Sequence, residues 1–264
     1  MGSLPWPEFE RPLGSLALVG AGPGDPELIT RKGWRLLMDA DVVVYDALVS
    51  DALLQELPAT ARRLYVGKRK GQHSMPQPVI CQLLVDLARQ GLQVVRLKGG
   101  DPLIFGRLTE ETTALSQAGI PWQIVPGITA AAGCAAHCGF SLTERGKAPR
   151  LRLITAQSCD DRPIDWADLA RKDETLVFYM GLAQVEMISK QLQYHGLPAD
   201  WPVLLVEKGT QPEHRQIRCC LGDMLATVQE QQLQTPTLIY VGQVVAEVVS
   251  SQLMEPVNFQ FMSA

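Results

Sequence analysis

The hydrophobic positions of this chain fall into short unbroken runs separated by stretches of helical spacing, and that alternation predicts an α/β architecture. Residues 16–20, 42–45, 94–97 and 122–125 are apolar runs of strand length. Between them, Thr30 is placed to cap a helix whose apolar face is Trp34, Leu37 and Met38. Ile80, Leu83, Leu84, Leu87 and Ala88 recur at i, i+3, i+4, i+7 and i+8, a helix that Gly91 terminates. Another helix is predicted near 109–118, and the small residues of 130–138 predict a tightly packed one. From about 145 a second set begins, with strands at 151–155, 176–179, 203–206 and 238–241. Helices lie between them, one from about 183 to just before His195-Gly196 and another over about 223–231. No low-complexity linker and no internal repeat breaks the series. The pattern divides into two α/β domains, 14–130 and 131–250, with the boundary between 125 and 150.

Composition narrows the class. With 264 residues, 46% of them hydrophobic and 20% charged, the chain can bury a substantial core. Its six cysteines form no C-x-x-C pair and no zinc-spaced cluster, so they are expected to be reduced thiols, most of them buried fillers. The first fourteen residues hold three prolines and no apolar core segment, so neither a signal peptide nor a membrane span is expected, and the expected location is the cytoplasm. A net charge of −4 argues against nucleic acid as a general partner. Basic residues nevertheless cluster at Arg62, Arg63, Lys68, Arg69 and Lys70, and again at Arg145, Lys147, Arg150 and Arg152. Each cluster alone reads equally well as a solvated strand edge; two of them in an acidic chain point to a small polyanionic substrate.

Three glycine-rich segments carry the chemistry. Gly20-Ala21-Gly22-Pro23-Gly24-Asp25-Pro26 follows the first strand and approaches the dinucleotide fingerprint G-x-G-x-x-G, but Asp25 stands where the third glycine belongs and Pro23 removes a backbone donor. Leu97-Lys98-Gly99-Gly100-Asp101-Pro102 puts two glycines, an acid and a proline at a strand end, where backbone can approach a ligand closely. Pro126-Gly127-Ile128-Thr129-Ala130-Ala131 is the third. Such loops suit S-adenosyl-L-methionine, which carries a sulfonium and an amino group but no phosphate.

Read in order with Val44-Tyr45-Asp46-Ala47, Tyr65-Val66-Gly67-Lys68, Tyr179-Met180-Gly181 and Glu207-Lys208-Gly209-Thr210, these segments resemble the tetrapyrrole methylases over about residues 14–250. The resemblance implies two α/β domains with a cofactor cleft between them, distinct from the Rossmann methyltransferases. It implies cofactor contacts at Pro23, Gly99, Gly100, Asp101, Ile104, Thr129, Ala130, Met180 and Gly209, a proton acceptor at Asp46 and a proton donor at Lys68. Arg107, Glu110 and Arg145 become the substrate residues, since guanidinium forks bind carboxylates bidentately. The implied reaction is methylation of uroporphyrinogen III at C2 and then C7, through precorrin-1 to precorrin-2, by a monofunctional homodimer that uses no metal and releases S-adenosyl-L-homocysteine. That product is shared by the sirohaem, cobalamin and haem d1 routes.

Some features leave alternatives open. Another precorrin methylase of the same superfamily fits the same motifs, whereas a methylase acting on a protein histidine does not suit the basic loops. A nucleotide-dependent oxidoreductase is weakened by Pro23 and Asp25. The family pattern Gly-Arg-Gly-Gly-Glu-Glu reads here Gly106-Arg107-Leu108-Thr109-Glu110-Glu111, which predicts a stiffer segment and keeps a catalytically inert tetrapyrrole binder in view. Gly146-Lys147 also replaces the acid that often follows Arg145. His137, on the Ala/Cys-rich helix, reads as a packed histidine, and His73 as a residue near the substrate cleft.

Overall fold

The computed structural model describes residues 13–67, 75–157 and 163–248. Lys68, Arg69, Lys70, His73 and Cys159 lie outside the described residues. The chain divides after Ala130 into two compact units.

The first unit is built on a parallel sheet of β1 (Ser15–Gly20), β2 (Val42–Tyr45), β3 (Arg62–Tyr65), β4 (Gln93–Lys98) and β5 (Trp122–Val125), in the order β3-β2-β4-β1-β5. Its helices are α1 (Arg31–Met38), α2 (Asp51–Gln55), α3 (Gln77–Arg89) and α4 (Leu108–Gln117). Side chains alternate across the sheet. Ala17, Val19, Val43, Val95 and Leu97 pack with Leu37, Leu53 and Leu54 on one face, while Leu16, Leu18, Val42, Val44 and Val94 pack with Ile80, Leu84 and Leu115 on the other. Burial of both faces is why these strands read as unbroken apolar runs, as parallel sheets covered by helices require. Thr30 caps α1 as predicted, its hydroxyl accepting from the Gly33 amide at 3.1 Å.

The second unit holds all but the first residue of α5 (Ala130–His137) and carries a mixed sheet of β6 (Arg150–Thr155), β7 (Glu174–Tyr179), β8 (Pro202–Glu207), β9 (Arg215–Cys220) and β10 (Thr237–Val241). The order is β6-β7-β10-β8-β9; β6 and β7 are parallel, whereas β10 runs antiparallel to both its neighbours and β8 and β9 form an antiparallel pair. The remaining helices are α6 (Trp166–Leu169), α7 (Val185–Tyr194) and α8 (Met224–Glu230). Leu176, Phe178, Val203, Leu205 and Ile239 bury one face of the sheet against Ile188 and Leu192 of α7 and Met224 of α8. Two tyrosines tie the start of α5 to this sheet. The Ala131 amide donates to the Tyr179 hydroxyl at 2.9 Å, and the Tyr240 hydroxyl donates to the Ala131 carbonyl at 2.9 Å. The first of these satisfies a helix N-terminal amide that has no partner within the helix.

Among the described residues all five cysteines are free thiols. Burial pushes Cys134 up to about 12 and Cys138 and Cys219 to about 11, so these thiols stay protonated and act as packing atoms. No helix of the described residues is long and apolar enough to cross a membrane.

Candidate functional site

Strands β4, β1 and β5 are neighbours, and each gives way at its C-terminal end to one of the glycine-rich segments. Ligands of parallel sheets sit beyond such carboxyl ends. Here the loops are locked to each other through backbone. The Gly100 amide donates to the Gly22 carbonyl at 2.7 Å and the Gly22 amide returns a bond to the Gly100 carbonyl at 3.2 Å. Both residues are left-handed, with φ of +77° at Gly22 and +67° at Gly100, a conformation that glycine adopts at no steric cost. The approach leaves no room for side chains, since a Cβ on Gly20 would lie 2.5 Å from the Gly127 Cα.

The dinucleotide reading fails in the structure for the reason the sequence suggests. Asp25 accepts from the Glu27 amide at 2.9 Å and caps a 3₁₀ turn at Pro26–Leu28, so the glycine loop runs into that turn and α1 begins only at Arg31. A pyrophosphate cradle needs the helix to open directly from the glycines.

In the loop after β4, the Asp101 carboxylate accepts from the Leu103 amide at 2.9 Å, and the Ile104 amide donates to the Asp101 carbonyl at 3.1 Å. This acid therefore shapes its own turn. Phe105 and Arg107 follow with φ of +53° and +52°. In the second unit Met180 (φ +54°) stands half-exposed directly after β7, and Lys208 (+46°) and Thr210 (+65°) flank Gly209 after β8. Five of the six left-handed non-glycine residues among those described thus fall in loops that the sequence singles out, Gln232 being the sixth. Each such residue costs on the order of 1–3 kcal/mol, strain that concentrates at ligand sites. Gly209 is also sterically required, since a Cβ there would meet the Cys134 sulfur of α5 at 2.1 Å. Thr129 immediately precedes α5 and Ala130 is its first residue.

The candidate substrate residues are exposed. Arg107 and Glu110 form a bidentate pair, with Nε to Oε1 and Nη2 to Oε2 both at 2.8 Å. With side chains 58% and 46% exposed, such a pair is worth about 0–1 kcal/mol, so an incoming carboxylate can take the guanidinium from Glu110 at little cost. Arg145 is exposed on the turn that the Glu144–Ala148 bridge closes. Helix α4 starts at Leu108 itself, which packs on the first unit's core. Leu108 and Thr109 are therefore first-turn helical residues, where glycine is unfavourable. The double substitution Leu108→Gly/Thr109→Gly is expected to lower stability by about 2 kcal/mol, read from denaturant midpoints at unchanged m-value. An unchanged midpoint would show that these residues do not stiffen the segment.

Asp46 follows β2 and is held at both oxygens, Oδ1 accepting from the Leu48 amide at 3.1 Å and Oδ2 paired with Arg96 Nη2 at 2.9 Å. Behind it lies a buried cluster that sequence reading missed. Arg96 Nε lies 3.2 Å from Glu111 Oε1, and Lys98 Nζ 2.9 Å from Glu111 Oε2. Burial, and then the neighbouring Arg96, press the Lys98 ammonium below its ordinary pKa, while Glu111 works in the opposite sense. A signal was present: Arg96 and Lys98 are charges inside a run that otherwise reads as a buried strand, and buried charges need partners.

His137 packs its ring edge-on against His214 with centroids 4.5 Å apart, and burial holds His214 below the usual imidazole range. No group of three or more potential metal ligands is assembled among the described residues.

Comparison with known proteins begins with the fold. The chain superposes on a cobalt precorrin-4 methyltransferase, a cobalamin biosynthetic enzyme, with a TM-score of 0.79 and 30% identity, covering 88% of this chain and 95% of that one. It also superposes on the uroporphyrin-III C-methyltransferase of Thermus thermophilus complexed with S-adenyl homocysteine, with a TM-score of 0.74 and 38% identity over 88% of this chain and 99% of that chain. Both of these superposed proteins are named as methyltransferases. Residues 15–225 match the model of the tetrapyrrole (corrin/porphyrin) methylases, and the chain belongs to that family. The siroheme synthase 2 of Yersinia enterocolitica is 49% identical over 241 residues, which are 90% of this chain and 51% of that protein. The chain thus spans about half the length of the curated relatives it matches.

Proposed function

We propose that this methyltransferase transfers methyl groups from S-adenosyl-L-methionine to uroporphyrinogen III, at C2 and then C7, giving precorrin-2 through precorrin-1. The observation that carries the reading is the 38% identity, over 99% of its length, to a uroporphyrin-III C-methyltransferase crystallised with S-adenyl homocysteine. The residues fit the cofactor. In the first unit Gly20, Gly100 and Gly127 leave bare backbone beside the left-handed residue Phe105, and in the second unit Met180 and Thr210 are left-handed too; the loops of each unit thus offer amides and carbonyls, not a phosphate-binding helix end. Pro23, Gly99, Gly100, Asp101, Ile104, Thr129, Ala130, Met180 and Gly209 are the residues proposed to hold it. When bound, it supplies a methyl group on a sulfonium sulfur, already activated for attack by an electron-rich pyrrole carbon.

The chain's own contribution is alignment and proton handling. The interlocked glycine loops fix the donor's position, so that catalysis draws chiefly on proximity and orientation. Arg107 and Arg145 hold carboxylates on the macrocycle's rim. Asp46, fixed by Arg96 and the Leu48 amide, accepts the proton released after the carbon–carbon bond forms, with Lys68 as the proton donor the family resemblance implies. The same resemblance supports reading the enzyme as a cytoplasmic homodimer, which cell fractionation and sedimentation velocity test.

A second reading, methylation of a later precorrin, is favoured by the TM-score of 0.79 to the cobalt precorrin-4 enzyme, and opposed by the lower identity to it. The deciding assay gives the protein enzymatically generated uroporphyrinogen III and S-adenosyl-L-methionine. A product two methyl groups heavier is expected by mass spectrometry. Folded protein that binds S-adenosyl-L-homocysteine yet methylates only a later precorrin would favour the second reading.

A further inference from the structure

The charges buried behind Asp46 form one alternating chain, Asp46–Arg96–Glu111–Lys98, with every adjacent pair in contact: 2.9 Å, 3.2 Å and 2.9 Å. Glu111 is its pivot. It is fully buried on α4, and its two oxygens are divided between the cations, Oε1 facing Arg96 and also accepting from the Gln77 amide at 3.2 Å, Oε2 facing Lys98. Arg96 is 4% exposed and committed on every side: Nε to Glu111, Nη1 to the carbonyls of Val44 and Leu97, Nη2 to Asp46. Lys98 is the last residue of β4, immediately before Gly99-Gly100, and its Cε lies 3.2 Å from where a Cβ on Gly106 would stand. Its side chain therefore reaches the far end of the same loop.

Buried ion chains of this kind are poor stabilisers, because desolvation of each charge offsets much of the Coulomb attraction, whereas they specify geometry well when every member is satisfied. The one end that reaches solvent is Asp46, 26% exposed at the end of β2. We propose that Glu111 is a positioning residue for methyl transfer. It fixes the Arg96 guanidinium, which orients the Asp46 carboxylate that accepts the proton, and it anchors Lys98 under the loop that holds the methyl donor. One carboxylate thereby ties the proton acceptor and the donor loop to a single point. This rests on the reading above, in which Asp46 is the proton acceptor.

The test is a double-mutant cycle in the full chain, Glu111→Gln with Asp46→Asn, following methylated product from uroporphyrinogen III and S-adenosyl-L-methionine. Glutamine keeps the shape and an acceptor for Arg96 but removes the charge. Glu111→Gln is expected to lower kcat at least tenfold while KM for S-adenosyl-L-methionine changes less than threefold. In the Asp46→Asn background the same substitution is expected to lower the residual rate less than twofold, because the residue it positions has lost its function. Equal factors in both backgrounds, or lost thermal stability at unchanged kcat, would reduce the cluster to a structural ion network and overturn the proposal. Should Glu111→Gln fail to fold, Glu111→Gln/Lys98→Met, which removes one charge of each sign, carries the same comparison. A wild-type chain that binds S-adenosyl-L-homocysteine but transfers no methyl group overturns the underlying reading instead, and the role of Glu111 with it.

Discussion

Gly127→Ala is expected to abolish binding of S-adenosyl-L-homocysteine and to reduce methyl transfer by more than a hundredfold. The added methyl would stand 2.2 Å from the Gly100 carbonyl oxygen and 2.8 Å from the Gly20 Cα, both of them backbone atoms that no rotamer change can move aside. Room comes only if the loop after β5 separates from those after β1 and β4, or if those two part and give up the reciprocal Gly22–Gly100 bonds of 2.7 and 3.2 Å. Overpacking of this kind costs about 1–3 kcal/mol, which a core of this size survives, so the chain should remain folded while the loops lose register. Calorimetric titration against S-adenosyl-L-homocysteine, with circular dichroism as the control for folding, reads both effects. Unchanged affinity in a folded Gly127→Ala protein would separate the glycine junction from the cofactor site.

The parts of the fold that sequence made legible are those whose burial writes a regular apolar pattern, as a strand covered on both faces or a single helix stripe does. Residues 42–45 are four consecutive apolar positions because β2 is covered on both faces, and the spacing of Ile80, Leu84, Leu87 and Ala88 is that of one stripe of α3 turned to the core. The strands not foreseen are both at sheet edges. β3 begins with Arg62 and Arg63, both exposed, and β9 reads Arg215-Gln216-Ile217-Arg218-Cys219-Cys220 with no fully buried residue, so neither carries an apolar run to recognise. The turns α2 and α6 are too short for periodicity to register. The glycine loops were legible because steric demand at a backbone crossing is written in residue type at the position itself. The Arg96–Glu111 cluster was legible only by half: charges inside β4 signal that partners are needed, but Glu111 is an ordinary charge in its helix, and only the packing of α4 against the sheet brings them together.

The outer arginines make a prediction about the substrate alone. Arg107→Ala and Arg145→Ala are each expected to lower kcat/KM for uroporphyrinogen III by roughly ten- to a hundredfold, since a charge-assisted contact contributes about 1.5–3 kcal/mol and each 1.4 kcal/mol is a factor of ten. The affinity for S-adenosyl-L-homocysteine should stay within twofold, because both residues serve the macrocycle's carboxylates and not the donor. Arg107 carries a further consequence, since it already sits in a bidentate pair with Glu110. Removing the arginine leaves Glu110 facing an anionic macrocycle, so Arg107→Ala should be more damaging than Arg107→Ala/Glu110→Ala. Raising the salt concentration screens these exposed contacts, so KM for uroporphyrinogen III should rise with ionic strength in the wild type and less steeply in the arginine variants. Loss of S-adenosyl-L-homocysteine affinity in either single variant, at unchanged KM for the tetrapyrrole, would move that arginine from the substrate to the cofactor.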